Sequence, residues 1–211
     1  REAMNDAQDV LEFQGTPPKP PIFALLRKRK GLQEGEPLPS MKGIQMGVSL
    51  QNLEKYIAVC GFQNPGEIPI TYPQVLATRL QLLLLSQRRF PFPLMGLVHV
   101  RQSIEAHCPL PPGGDYKIEV HLDHLSQVRS GAEFGVITDL YLGKTHVWHG
   151  EATTLTRAYP GHGQKTKRPV LPNLETSKED LWSVPEDLGR RYMRISGDFN
   201  PIHIHALLAR P

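Results

Sequence analysis

The run Lys117-Ile118-Glu119-Val120-His121-Leu122, with Phe134, Val136, Thr138, Leu140 and Leu142 after it at every second position, decides the fold class. Successive side chains leave opposite faces of a strand, so a period of two marks a strand with one face toward a core. Val98 and Val100 start the same rhythm just after Leu97. Gly143-Lys144 offers a hairpin turn into a further run from Val147 to Thr156. Upstream the period is helical. A helix starting near Tyr72-Pro73 runs through Leu76, Leu80, Leu83 and Leu84 to Arg88-Arg89, where Phe90-Pro91-Phe92-Pro93 stops it. Its density of leucine from 80 to 85 leaves little polar face, so other structure is expected to wrap it on most sides. Long strands joined by short turns, following one buried helix, predict an α+β domain with an antiparallel sheet curled around that helix.

Outward from this centre the pattern thins. Residues 1–46 carry little periodicity and read as an N-terminal extension. Asp6 to Phe13 suits a short helix, while Thr16-Pro17-Pro18-Lys19-Pro20-Pro21 must be extended, because proline lacks a donor and restricts its predecessor. Ile22 to Lys30 is a brief apolar stretch ending in Arg27-Lys28-Arg29-Lys30, which reads as a solvated helix C-terminus favoured by the dipole. Ser49 is placed to cap a helix that carries Leu50, Leu53, Tyr56, Ile57 and Cys60 on one face and ends at Gly61; Asn64-Pro65-Gly66 then turns the chain. Residues 47–157 thus make one complete module. Residues 158–178 read as a linker, and residues 179–211 begin a second module, in which Pro185 opens a short helix with Leu188, Tyr192 and Ile195 on one side.

Composition removes several functional classes. A hydrophobic share of 39% and a charged share of 21% exclude a membrane-embedded chain, and apolar stretches such as Leu82 to Leu85 are far too short to span a bilayer. The net charge of +3 favours a small anionic ligand weakly, and no basic face with interleaved aromatics points to nucleic acid. Cys60 and Cys108 belong to no CxxC, which argues against a disulfide scaffold or a structural zinc site. Both are expected to be core or subsurface thiols in a reduced cytoplasm, and the start of the chain shows no signal or transit segment. The chain opens on Arg1 and stops at Pro211, and it reads as a piece of something longer.

The segment that carries chemistry is Ile195-Ser196-Gly197-Asp198-Phe199-Asn200-Pro201-Ile202-His203. Gly197 permits a sharp turn, and Asn200, held out of the helical region by the proline behind it, is a natural N-cap. Pro201 then occupies the first helical position, where its missing N–H costs nothing. His203 falls in the first turn and Asp198 just outside it. The positive end of the helix dipole favours ionised Asp198 and neutral His203, a pair suited to holding a water molecule and moving its proton.

The longer string Tyr192-x-x-Ile195-Ser196-Gly197-Asp198-x-Asn200-Pro201-Ile202-His203, with Ala206 following, resembles the signature of the MaoC-like (R)-specific enoyl-CoA hydratases, also called type 2 hydratases. The resemblance implies a hot-dog fold, here in its tandem form with the second module incomplete. The N-terminal module would lack the catalytic motif and help enclose an acyl chain. It further implies that Asp198 and His203 are the catalytic pair, deprotonating water for syn addition to a trans-2-enoyl thioester, with Asn200 and Gly197 supporting and orienting. The oxyanion donor would be a backbone N–H from a glycine beyond Pro211. No cofactor or metal is implied. The substrate would be an acyl-CoA or acyl-carrier thioester, in a homodimer without membrane or nucleic-acid partners. Two alternatives carry the same motif: a non-catalytic acyl-thioester binding or assembly subunit, and a carrier-protein-linked dehydratase of fatty-acid or polyketide synthesis.

Other polar clusters read as structural. His203 and His205 point apart on a helix, with no third ligand near in sequence. His146 and His149 flank Trp148 and are expected on opposite sides of a strand. Gly161-His162-Gly163 reads as a flexible turn, and His107 points away from Cys108 along a strand.

Overall fold

The computed structural model describes residues 10–63, 66–161, 181 and 183–197. Three strands of the sheet follow the alternation seen in the sequence. They are β4 (Tyr116–Val128), β5 (Gly131–Leu142) and β6 (Thr145–Thr156), antiparallel neighbours, with Gly143-Lys144 forming the turn between the last two. On the inner face Tyr116, Ile118, Val120, Phe134, Val136, Leu140 and Trp148 are buried against α3 (Tyr72–Ser86) and the segments around it. Leu80 and Leu84 are fully buried, and Gln81 Nε2 donates to Thr138 Oγ1 at 2.8 Å, fixing which face of β5 meets the helix. The leucine-rich helix is therefore wrapped as expected.

The complete sheet has six strands, in the order β1-β2-β4-β5-β6-β3, where β1 is Val10–Gln14, β2 is Lys42–Met46 and β3 is Val98–Ala106. The first two strands correct the reading of residues 1–46 as an unpatterned extension. Val10–Phe13, expected in a helix, lie in β1, parallel to β2, and β2 pairs antiparallel with β4. The sheet therefore extends past the boundary expected at residue 46. Strands this short show too few alternations to register as period two, and pairing rather than local propensity decides them. At the other edge, β3 pairs only with β6 among the described residues, and almost all of its side chains are exposed.

Two helix ends also differ from expectation. The helix α2 (Leu53–Cys60) begins at Leu53 behind Asn52, and the Ser49 hydroxyl accepts from the Gln51 N–H, which lies before the helix, so Ser49 is not its cap. It does end at Gly61. The four-residue α1 (Ile22–Leu25) stops before the basic run, so Arg27 to Lys30 do not sit on that helix's C-terminal end. They serve another helix. The Arg29 guanidinium donates to the Ser86 and Gln87 carbonyls, and Arg27 reaches the Ser86 carbonyl at 3.4 Å, where α3 ends, short of Arg88-Arg89. Burial, with a smaller contribution from neighbouring Arg27, lowers the pKa of Arg29. Cations at a helix C-terminus are favoured as anticipated, but the helix is one distant in sequence. Arg29→Ala leaves the Gln87 carbonyl without its charged donor and the Ser86 carbonyl with only the longer contact to Arg27, and is expected to destabilise the fold by about 1–3 kcal/mol in urea unfolding, with Arg29→Lys restoring part of it.

Cys60 and Cys108 are both exposed free thiols rather than core or subsurface groups. Cys60 is the last residue of α2, next to Tyr56 at the exposed end of that helix, and Cys108 lies in the loop past the end of β3. No helix among the described residues is long and apolar enough to cross a membrane.

Candidate functional site

A cavity of about 740 Å³ lies beside α3. One wall is the side of that helix turned away from the sheet, carrying Tyr72, Val75, Leu76, Arg79 and Leu82. The proline-rich segment is extended and forms a second wall through Thr16, Pro17, Lys19 and Pro20, held in place as Arg79 donates to the Pro17 carbonyl at 3.2 Å. Leu94 to Leu97 close a third side. The lining is mostly apolar, with the cations Lys19, Arg79 and Arg194 set among it. Gln45 of β2 contributes a buried side chain whose Oε1 has no hydrogen-bond partner among the described residues.

The remaining wall is the C-terminal end of α4 (Leu188–Ser196): Arg194, Ile195, Ser196 and Gly197. This helix forms as its spacing predicts. Tyr192 and Ile195 pack toward the core, and the Tyr192 ring lies 6.3 Å from that of Tyr56, itself 4.8 Å from Tyr72. Aromatic contacts thus tie α4 to α2 and α3. Gly197 ends α4 with φ 71°, its N–H donating to the Met193 carbonyl at 2.9 Å. This left-handed C-cap is strained for any residue with a Cβ and turns the chain sharply at the cavity wall. Gly197 is thus the one predicted site residue that the structure places. Asp198, Asn200 and His203, like His205 and His162, lie outside the described residues.

Sequence reasoning missed most of the lining. Tyr72 is nearly fully buried, and burial, against a smaller opposing backbone hydrogen bond at Asn52, pushes its phenol up to about 12. It remains protonated over the physiological range. Arg79 carried a signal, as a cation inside an otherwise apolar helix face. Gln45, Asn52 and residues 94–97 carried none, because only folding brings them to this helix.

One expectation about histidines fails outright. His146 and His149 share a face: His146 Nε2 lies 2.9 Å, and His149 Nδ1 2.8 Å, from the same Asp139 Oδ1. The pairing of β5 with β6 slips between Leu140 and Tyr141, so that Leu140 opposes Trp148 while Tyr141 opposes His146. Val147, left over, is buried beside Trp148 in the core, and His146 swings to the outer face with His149.

No family model matches the chain. A curated relative, the 3-hydroxyacyl-thioester dehydratase X of Mycobacterium tuberculosis, is 27% identical over 168 residues, covering 79% of this chain. The chain spans 60% of that relative's length. The crystal structure of HtdX from Mycobacterium tuberculosis matches with a TM-score of 0.64 at 23% identity, over 81% of this chain and 66% of that one. A MaoC-like dehydratase from Phytophthora capsici matches with a TM-score of 0.60 at 19% identity, over the same shares. At such identities the two structures speak to the fold, and it is the same fold. With its sheet packed on α3 and a cavity against that helix, the chain has the α+β hot-dog fold of the MaoC-like dehydratases to which it is similar.

Proposed function

We propose that this chain catalyses the reversible hydration of trans-2-enoyl thioesters to (R)-3-hydroxyacyl thioesters, using Asp198 and His203 without a cofactor. The observation that carries this reading is that the apolar cavity is walled by Arg194 to Gly197, the described residues that immediately precede Asp198 in the sequence. Val75, Leu76 and Leu82 suit an acyl chain, and Lys19, Arg79 and Arg194 suit a thioester carrier bearing phosphate. The name of the Mycobacterium relative supports the same chemistry.

In the hydration direction Asp198 and His203 hold a water and accept its proton as oxygen adds to C3; that proton returns to C2, and an N–H donor stabilises the charge on the thioester oxygen. The double-module layout (a first module whose sheet runs from Val10 to Thr156, preceding a catalytic module from 179), a homodimer and a cytoplasmic location belong to this proposal. Absorbance at the enoyl-thioester band tests it. The intact gene product should deplete crotonyl-CoA or longer enoyl-CoAs and yield the (R)-alcohol; carrier-protein thioesters tested alongside identify the carrier. No depletion of any enoyl thioester would assign the chain as a binding subunit instead. Leu76→Trp, which narrows the cavity, is expected to lower kcat/KM for long chains relative to crotonyl thioester by about tenfold or more.

A further inference from the structure

The outer face of the sheet carries a second constellation, with no part in the chemistry proposed above. Asp139, His146 and His149 bring one carboxylate oxygen and two imidazole nitrogens within 4.8 Å of one another. Thr138 meets Gln81 of α3, so the alternation of β5 puts Asp139 on the opposite face from the helix and its cavity. We propose that this cluster is a binding site for a divalent metal ion of the zinc class.

Three observations support it. The donor set is two imidazoles and one carboxylate, which suits zinc and its neighbours in the first transition row and disfavours magnesium. The spacing needs little change. In a tetrahedral zinc site, ligand atoms about 2.0–2.2 Å from the metal stand about 3.3 Å from one another, and here both nitrogens lie 2.8–2.9 Å from the Asp139 oxygen. Both imidazoles already aim these nitrogens at the carboxylate, and the nitrogen-to-oxygen distances need open by only a few tenths of an ångström to admit the ion. Third, the arrangement depends on a break in the regular pairing. Without the slip at Tyr141 and the extra residue Val147, His146 would point into the core.

The surroundings hold the ligands while leaving the site reachable. The Asp139 side chain is only 13% exposed and well fixed, whereas His146 and His149 are 38% and 36% exposed. The His107 ring stands edge-on to His146 at 4.8 Å, and the Tyr141 ring lies 5.0 Å from it, limiting its rotation. Three protein ligands leave a fourth position open to water. A bound ion would clamp β5 to β6 across the irregularity.

Titration calorimetry of the full chain with zinc chloride, paired with thermal unfolding, tests the proposal. One zinc per chain is expected, with a rise in Tm at saturating metal and no response to magnesium. His146→Ala and His149→Ala should each weaken zinc binding at least ~tenfold. His99→Ala, a histidine at the far end of β3, should leave it unchanged. Cobalt(II) should give visible bands of low-symmetry coordination in the parent and lose them in both cluster variants. Asp139→Asn is a supplementary variant, because removing a largely buried carboxylate can also disturb folding. Absence of zinc binding by the folded parent would overturn the proposal. So would binding that persists undiminished in His146→Ala and His149→Ala, which would place the ion elsewhere.

Discussion

Asp198→Asn is expected to abolish hydration of enoyl thioesters to within the assay floor, a loss of about 10²–10⁴-fold in kcat, while the thermal unfolding curve stays close to that of the parent. The amide keeps the size and one acceptor oxygen of the carboxylate, so turn and cavity wall keep their shape. It cannot take a proton from water. Gly197 holds the turn through its own left-handed backbone, independently of the residue that follows. The loss should therefore appear in kcat with little change in KM, since the proposed acyl-chain site is the cavity lined by α3 and the facing loop rather than the carboxylate. His203→Ala should act in the same sense. The double variant should be scarcely worse than either single one, as expected for two groups handling one proton. Full turnover by both single variants would remove the catalytic assignment.

Trp148→Ala is expected to have the largest effect on stability, about 3–5 kcal/mol, corresponding to a Tm lowered by roughly 10 °C for a chain of this size. The indole is fully buried, and its Nε1 donates to the Ile70 carbonyl at 2.8 Å, linking β6 to the loop that enters α3. It lies over Gly150, where a Cβ would come within 2.3 Å of the ring. Truncation leaves a void that the sheet cannot close and a carbonyl without its donor. Trp148→Phe refills most of the void but not the hydrogen bond. It should cost only part of the alanine penalty, and equal losses for the two variants would shift the weight from packing to the Ile70 contact. Calorimetry of the three proteins checks the order.

How far these residues could be foreseen differs sharply between them. The alternation from Lys117 to Thr156 and the leucine run of α3 made the sheet and its central helix legible, because long elements repeat their period enough times to stand above noise. The turn at Gly197 was legible for a different reason: a glycine behind a helix of clear one-sided pattern is local chemistry. Val10–Gln14 and Lys42–Met46 were not legible, since five residues paired with partners far along the chain carry no signature of their own.

The sequence by itself determined the α+β class, the helix at the centre of the sheet and the Asp198/His203 motif, all written in short-range periodicity or contiguous residue types. Only tertiary structure decided that Arg29 serves the end of α3 and that Thr16–Pro20 wall a cavity. It also decided that His146 and His149 converge on Asp139. Each of these depends on pairing between segments distant in sequence, and the last on a one-residue slip. Such a slip sends every side chain beyond it to the other face, and it becomes fixed only when the strands meet and Val147 finds room in the core.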